Sequence, residues 1–300
     1  MILCCGECLI DMLPRESAAG EPAFAPYSGG AVFNTAIALG RLGAPAGFFG
    51  GLSTDLFGQI LEDALRKSRV DARPSARSDR PTTLAFVTLT GGHAQYAFYD
   101  ENTAGRMLTE DDLPDLGPEV TALFFGGISL VSEPAGDTYA ALAAREAGKR
   151  PIMVDPNVRP GFIRDEVRYR ARLTGMLGVA DIVKVSDEDM AWLNVTPESL
   201  IAGGTSLVLV TRGAEGVDAI GPSGALHVDA RPAQVVDTVG AGDTFNAGLL
   251  AGLSRDGLLT RENLRNAPLD AVRPAVELGT RAASVTVSRA GANPPWEAEL

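Results

Sequence analysis

Residues 237–246 read D-T-V-G-A-G-D-T-F-N, and A-G-L-L-A-G-L follows. Gly240 and Gly242 flank Ala241 just ahead of Phe245, Leu249, Leu250 and Leu253, which share one helical face. The glycines therefore open a helix. The first N–H groups of a helix lack intrahelical acceptors, and its dipole adds positive potential, so such a turn can hold an anion. Glycine lets the backbone come close and adopt unusual dihedrals. A phosphate-binding P-loop places Lys next, whereas here the next residue is Asp243. One reading makes Asp243 a first-turn acid that caps the helix. Another makes it a general base that takes a proton from an attacking hydroxyl while the N–H groups hold charge on a transferring phosphoryl group. Taken alone, the stretch favours the capping role.

The surrounding pattern alternates strands and helices. Ile2–Cys5 reads as a strand, and Ala31–Leu42 as a helix with Phe33, Ala36, Ile37 and Leu39 on its apolar side. Phe48 and Phe49 begin another strand, and Leu56, Ile60, Leu61 and Leu65 mark a second amphipathic helix. Ala122–Phe125, Ile152–Asp155, Ile182–Val185 and Leu207–Val210 are continuous apolar runs, as expected for a parallel sheet covered on both faces. Two stretches depart from this rhythm. Thr83–Leu89 and Ala94–Tyr99 alternate with period two around T-G-G-H, which predicts a hairpin turning at Gly91 and Gly92. With Phe24–Tyr27 it would form a small separate sheet, either a lid or an edge decoration. Thr211–Ile220 predicts a second hairpin just after a buried strand, where open α/β sheets bind ligands.

Composition narrows the function classes. The 300 residues are 45% apolar, within the range of globular domains, and carry a formal charge of −12 with no basic block. That balance argues against nonspecific nucleic-acid binding and against an anionic membrane surface. An acidic chain can still hold a polyanion through local donors and a metal. The longest apolar runs, such as Thr205–Val210, are strand-sized, against the ~18–20 residues of a membrane span. The N-terminal MILCCGECLIDML has no basic flank and contains Glu7 and Asp11, so a secretory signal is not expected. Cys4, Cys5 and Cys8 fit neither a disulfide framework nor a zinc site and read as a buried first strand in a reducing cytoplasm. No G-x-G-x-x-G follows that strand, which disfavours a dinucleotide-binding enzyme.

The run D-T-V-G-A-G-D-T-F-N-A-G resembles the C-terminal signature of the ribokinase-like (PfkB) sugar kinases. G-G-A-V-F-N-T-A-I-A-L-G-R-L-G at 29–43 resembles that family's N-terminal signature. G-L-S-T-D-L-F-G at 51–58 and T-R-G-A-E-G at 211–216 also fit, in the family's order and across nearly the whole chain. The resemblance implies one α/β domain over residues 1–300, a three-layer α/β/α unit with a mainly parallel sheet. It also implies a small β-sheet lid from about 11–28 and 82–104, and a nucleotide-binding region over about 184–295. By it, Asp243 is the catalytic base, and Gly240, Ala241 and Gly242 form the anion hole. Asp11, Gly29, Gly30 and Asn34 hold sugar hydroxyls, while Lys184, Ser186, Thr211, Gly213 and Gly216 meet the nucleotide. The cofactors implied are ATP, Mg²⁺ and, in many relatives, a monovalent cation such as K⁺. Asp237, Val239, Thr286 and Gly291 match the cation site. The family's metal-linked N-x-x-E falls on Ser186-Asp187-Glu188-Asp189, with Ser for Asn and Asp for Glu, leaving Asp189 to order Mg²⁺ through water. Lids in this family often pair between subunits, so a homodimer is compatible.

For the acceptor, G-E-C-L-I-D-M-L-P at 6–14, F-Y-D-E-N-T-A-G-R-M-L at 98–108 and D-P-N-V-R-P at 155–160 are most similar to bacterial fructokinases. Arg106 and Arg159 then stand near the sugar or the transferred phosphoryl group. Ketodeoxygluconate kinases share much of the pattern and need an extra donor for a carboxylate, for which Tyr96, Tyr99 and Arg159 are candidates. A non-catalytic binding relative is the alternative from a different class, and retention of Asp243 with both glycines speaks against it.

Overall fold

A computed structural model describes residues 1–90 and 93–300, with the backbone alone at 88–90 and 93–96. The expected turn at Gly91 and Gly92, and the Tyr96 side chain, lie outside the described residues.

In chain order the strands are β1 (Ile2–Cys5), β2 (Leu9–Glu16), β3 (Pro22–Gly29), β4 (Ala46–Phe49), β5 (Gly51–Ser53), β6 (Val70–Asp71), β7 (Ala76–Ser78) and β8 (Leu84–Thr90). They continue as β9 (His93–Tyr99), β10 (Ala122–Gly126), β11 (Ile152–Asp155), β12 (Ile182–Ser186), β13 (Leu207–Thr211), β14 (Val217–Gly221) and β15 (Gly224–Val228). The helices are α1 (Ala31–Arg41), α2 (Leu56–Lys67), α3 (Ala135–Glu146), α4 (Glu166–Leu177) and α5 (Asp187–Leu193). After these come α6 (Pro197–Ala202), α7 (Ala241–Arg255), α8 (Arg261–Asn266) and α9 (Arg273–Val287).

The main sheet runs β15-β14-β13-β12-β11-β10-β1-β4-β6. Pairings from β6 across to β13 are parallel, and the β13–β14–β15 edge is antiparallel. The apolar runs of β1, β10 and β11 are buried along their whole length because helices cover both faces. On one face Phe33, Leu39, Leu65, Phe245, Leu250 and Val276 form the core, and on the other Tyr139, Leu142, Tyr169, Leu173 and Leu200. The result is a three-layer α/β/α architecture. Among the described residues no helix is long and apolar enough to cross a membrane.

A second sheet, β3-β2-β8-β9, stands apart from the first. It contains the expected hairpin strands and the Phe24–Tyr27 segment. It also contains β2, which the periodicity had not marked because Pro14 interrupts a run that would otherwise read as a strand. Asp11 lies in mid-strand, opposite Tyr27 on β3 and Ala85 on β8, and not in a strand-end turn. Phe86 packs edge-on against both Phe24 and Tyr99, with ring centroids 5.0 and 5.5 Å apart.

Helix α7, which carries Asp243, is fixed by unusually close backbone contact with α9. A Cβ on Gly248 would stand 2.6 Å from the Gly279 Cα, and one on Gly252 would stand 2.6 Å from the Ala275 Cα. Neither helix can move aside without opening the core. Gly248→Ala is therefore expected to destabilise the protein by about 1–3 kcal/mol in urea unfolding, the scale of core overpacking. Gly175, on the exposed side of α4 with open space around it, is the control. Gly175→Ala should be neutral or stabilising by up to about 1 kcal/mol, from helix propensity alone. Equal effects at the two positions would refute the close-packing account.

Candidate active site

Gly240 adopts a left-handed conformation, φ 78°, as N-cap of α7, and a Cβ there would meet the Ala292 side chain at 2.7 Å. Only glycine turns the chain here without strain or collision. Thr244 N–H donates to Gly240 O (2.9 Å) and Ala241 N–H to Thr238 O (3.3 Å). This adjusts the expected anion hole. Ala241 has spent its donor on the turn, whereas the N–H groups of Gly240, Gly242 and Asp243 have no acceptor among the described residues.

Asp243 is 8% exposed. Its Oδ2 accepts from Asn34 Nδ2 at 2.9 Å, and its carbonyl accepts from Thr35 Oγ1 at 3.2 Å, so α1 and α7 are joined at their starts. Burial pushes the Asp243 carboxyl up to about 7. The Asn34 hydrogen bond works the other way, nearby Asp155 and Glu7 add repulsion, and Lys184 offsets part of it. A carboxylate in this setting can both accept a proton and release it near neutral pH.

Asp11, Gly29, Gly30 and Asn34 meet at the junction of the two sheets. The Asp11 carboxylate lies so close over Gly29 that a Cβ there would be 2.2 Å from Oδ2. The Asp11 carboxylate has no hydrogen-bond partner among the described residues, and burial pushes it up to about 6. Asn34 sits inside α1, beyond the capping positions, and is free to reach Asp243. Phe98 on β9 packs edge-on against Phe162 from the main domain, centroids 4.5 Å apart, over a small pocket lined by Glu7, Cys8, Asp100, Arg106 and Ser129.

The family pattern of pfkB family carbohydrate kinases matches residues 1–299. The chain belongs to the pfkB family of carbohydrate kinases. It is 53% identical to a fructokinase of Rhizobium leguminosarum bv. trifolii over 91% of this chain and 86% of that protein. It is 32% identical to a fructokinase of Salmonella typhimurium, covering 96% and 93% of the two. The crystal structure of a Xylella fastidiosa fructokinase with bound ATP superimposes with a TM-score of 0.88 at 28% identity, over 97% of this chain and 93% of that one.

The remaining expected residues of this kinase fall into distinct settings. Lys184 is buried and pairs with Asp155 (3.1 and 3.4 Å), and its ammonium lies 3.5 Å from where a Gly242 Cβ would be. Burial opposes its charge, yet Asp155, Asp189 and Asp243 together hold its pKa above the ordinary value. Thr211 ends β13, and Gly213 and Gly216, both with positive φ, shape the turn into β14. Asp237, Val239 and Gly291 come together: Asp237 accepts from Val239 N–H (3.0 Å) and Gly291 N–H (2.9 Å). Thr286 is fully buried and bonded to Thr244 Oγ1 (3.0 Å).

Three expected residues are engaged in contacts of their own. Asp189 is 4% exposed, and its oxygens accept from Val158 N–H (2.8 Å), Ser186 N–H (3.0 Å) and Ser186 Oγ (2.9 Å). It ties the 155–160 loop to α5 in a capping box and does not fit the part of an exposed carboxylate ordering a hydrated Mg²⁺. Ser186 is the other half of that box, with its hydroxyl committed to Asp189. Arg106 is held by Asp100 (2.6 Å) and Glu133 O (3.2 Å) as part of the pocket wall, which leaves it little freedom to meet a phosphoryl group. Arg159, by contrast, is exposed and bonds only its neighbour's carbonyl, Val158 O (3.1 Å).

Sequence reasoning missed Glu7, Asp155 and Asn246. Asn246 Nδ2 donates to Asp155 Oδ2 at 2.8 Å, so α7 is braced on β11 directly behind Asp243. The signal was present in spacing, since Asn246 follows Asp243 by one helical turn and faces the same way. Nothing in one sequence, however, links it to Asp155.

A carboxyl whose folded pKa exceeds its unfolded value favours the fold at low pH, and that advantage is lost as pH rises through the folded value. For Asp243 the loss spans from its ordinary range near 3.8 to about 7. Asp243→Asn, which keeps an acceptor for Asn34, should therefore gain Tm relative to the native chain between pH 5 and pH 8.5. A difference in melting temperature that stays flat across that range would contradict the raised pKa.

Proposed function

We propose that this kinase transfers the γ-phosphoryl group of ATP to the primary hydroxyl of a small sugar, with fructose as acceptor and fructose 6-phosphate as product. The observation that carries this reading is the buried Asp243 carboxylate, poised near neutral pH at a helix start whose Gly240, Gly242 and Asp243 N–H groups lack an acceptor among the described residues. In the proposed step the sugar O6 attacks the γ-phosphorus as the bond to the bridging oxygen of ADP breaks, and the hydroxyl proton passes to Asp243. The Gly242 and Asp243 N–H groups hold the charge that builds on the phosphoryl oxygens. Asp11 accepts from sugar hydroxyls, and Asn34 positions the base.

Fructose as the acceptor is supported by the 53% and 32% identities to fructokinases. The sheet β3-β2-β8-β9 serves as the lid in this reading, and the Phe98–Phe162 contact supports closure over the sugar, which keeps water from competing as acceptor. ATP lies toward Lys184, Thr211, Gly213 and Gly216, with Arg159 reaching its phosphates. Mg²⁺ enters as the counter-ion of the nucleotide, keeping several of its waters. A monovalent cation, K⁺, is assigned to the Asp237–Gly291 corner. The exposed aromatics Phe24, Tyr27 and Tyr99 on the lid support a homodimer, and the free buried thiols suit the cytoplasm.

An ADP-release assay across fructose, ketodeoxygluconate, ribose and adenosine should give turnover chiefly with fructose. Turnover with ketodeoxygluconate alone would replace fructose by that acid, with Arg159 and Tyr99 as the donors for its carboxylate. Asp243→Asn should keep sugar and ATP binding while kcat falls at least ~10²-fold, the usual contribution of a general base. Near-native turnover in that variant would remove Asp243 from the base role.

A further inference from the structure

Glu7 lies in the short link between β1 and β2, fully out of reach of α1 in sequence, yet it caps that helix. The N-cap position of α1 is Gly30, which has no side chain to offer. Glu7 Oε1 instead accepts from Ala31 N–H at 2.8 Å and Val32 N–H at 3.4 Å, across 24 residues of chain. Its other oxygen accepts from Ser129 N–H at 3.1 Å, in the turn that follows β10. Two glycines with positive φ are shaped around it. A Cβ on Gly127 would stand 2.5 Å from Glu7 Oε1, and one on Gly30 would stand 2.9 Å from the Glu7 carbonyl. The carboxylate is thus held by donors from two separate elements in a space that other residues leave open for it.

We propose that Glu7 is a positioning residue for sugar binding: it locks the start of α1 to the β10 turn, and so fixes where Gly29, Gly30 and Asn34 meet the acceptor. The proposal rests on the sugar-kinase reading above. Its basis is direct, because Ala31 lies one helical turn before Asn34, whose amide holds Asp243. A carboxylate is needed at this place and an amide is not equivalent. Both oxygens of Glu7 receive N–H donors, so the NH₂ group of a glutamine would face one of those donors and leave it buried without an acceptor. The nucleotide side, built from β12, β13 and the 229–240 loop, has no hydrogen bond to Glu7 among the described residues.

The test is a split between the two substrates. Glu7→Gln should raise the KM for the sugar about tenfold or more, the scale of one lost hydrogen bond to a charged group, while the KM for ATP stays within about twofold. Equal changes in both constants, or none, would overturn the proposal. Glu7→Asp keeps the charge but is shorter by one methylene, and it serves if Glu7→Gln fails to fold. It should show the same split with a smaller rise, and an unchanged sugar KM in that variant would also overturn it. The native enzyme is assayed alongside on each acceptor. If its acceptor is not fructose, the fructose assignment is what changes, and the Glu7 split is then measured on whichever acceptor it does use.

Discussion

One hydrogen bond, from Asn34 Nδ2 to Asp243 Oδ2 at 2.9 Å, joins side chains 209 residues apart and sets the demands on everything around it. To be made at all it needs the starts of α1 and α7 side by side at the ends of the central strands. Thr35 Oγ1, reaching the Asp243 carbonyl, holds the same pair of helices from the backbone side. The surrounding layers explain why the two helices cannot drift. Helix α7 is clamped to α9 through Gly248, Gly252 and Gly279, and braced on β11 by Asn246 and Asp155. Helix α1 is pinned at its first turn by Glu7 and buried along its inner face by Phe33, Ala36 and Leu39. A base that must sit within hydrogen-bond reach of a substrate gains from such support, since a displacement of about 1 Å can cost orders of magnitude in rate.

The cost of this placement is electrostatic. Asp243 is buried near two other carboxylates, Asp155 and Glu7, with the Lys184 ammonium offsetting part of their repulsion. A fold selected for stability alone would not collect three acids there. Burial first, and the repulsion of those acids second, raise the proton affinity of Asp243 into the range where a carboxylate can act as a base and still give up its proton after each cycle. The destabilisation at neutral pH and the proposed chemistry come from the same burial.

Much of this was legible in the sequence, and the reasons are specific. The parallel strands were visible because β10, β11, β12 and β13 are buried on both faces and so read as unbroken apolar runs. The start of α7 was visible because Gly240 and Gly242 have no other purpose ahead of an amphipathic run. Strand β2 was hidden by Pro14, which lies beyond the Ile10–Met12 stretch paired with β8, so that one side of the strand is unpaired there and the missing N–H is tolerated. Asp189 reads two ways in the sequence because an acid three residues after a serine fits a capping box as well as a metal-linked motif, and its bonds to Val158 and Ser186 appear only in the fold. Glu7 and Asp155 escaped because their partners, Ala31, Ser129, Lys184 and Asn246, are distant in sequence. Residue type shows that a carboxylate can act, whereas the fold decides what it faces.

The charge pattern also bears on how an acidic chain would receive a polyanion. Lys184, buried beside the start of α7, is paired with Asp155, so its field would be largely spent before it reached a phosphate held there. The attraction that remains comes from the unfilled N–H groups of Gly242 and Asp243 and from the α7 dipole, which are neutral groups and cost no buried charge. A lysine in place of Asp243 would strengthen that attraction but would remove the proton acceptor. It would also bind ground-state ATP as firmly as the transferring phosphoryl group, and uniform binding of that kind does not raise turnover. Neutral donors set at the place where charge develops, with an acid beside them, favour the transfer itself.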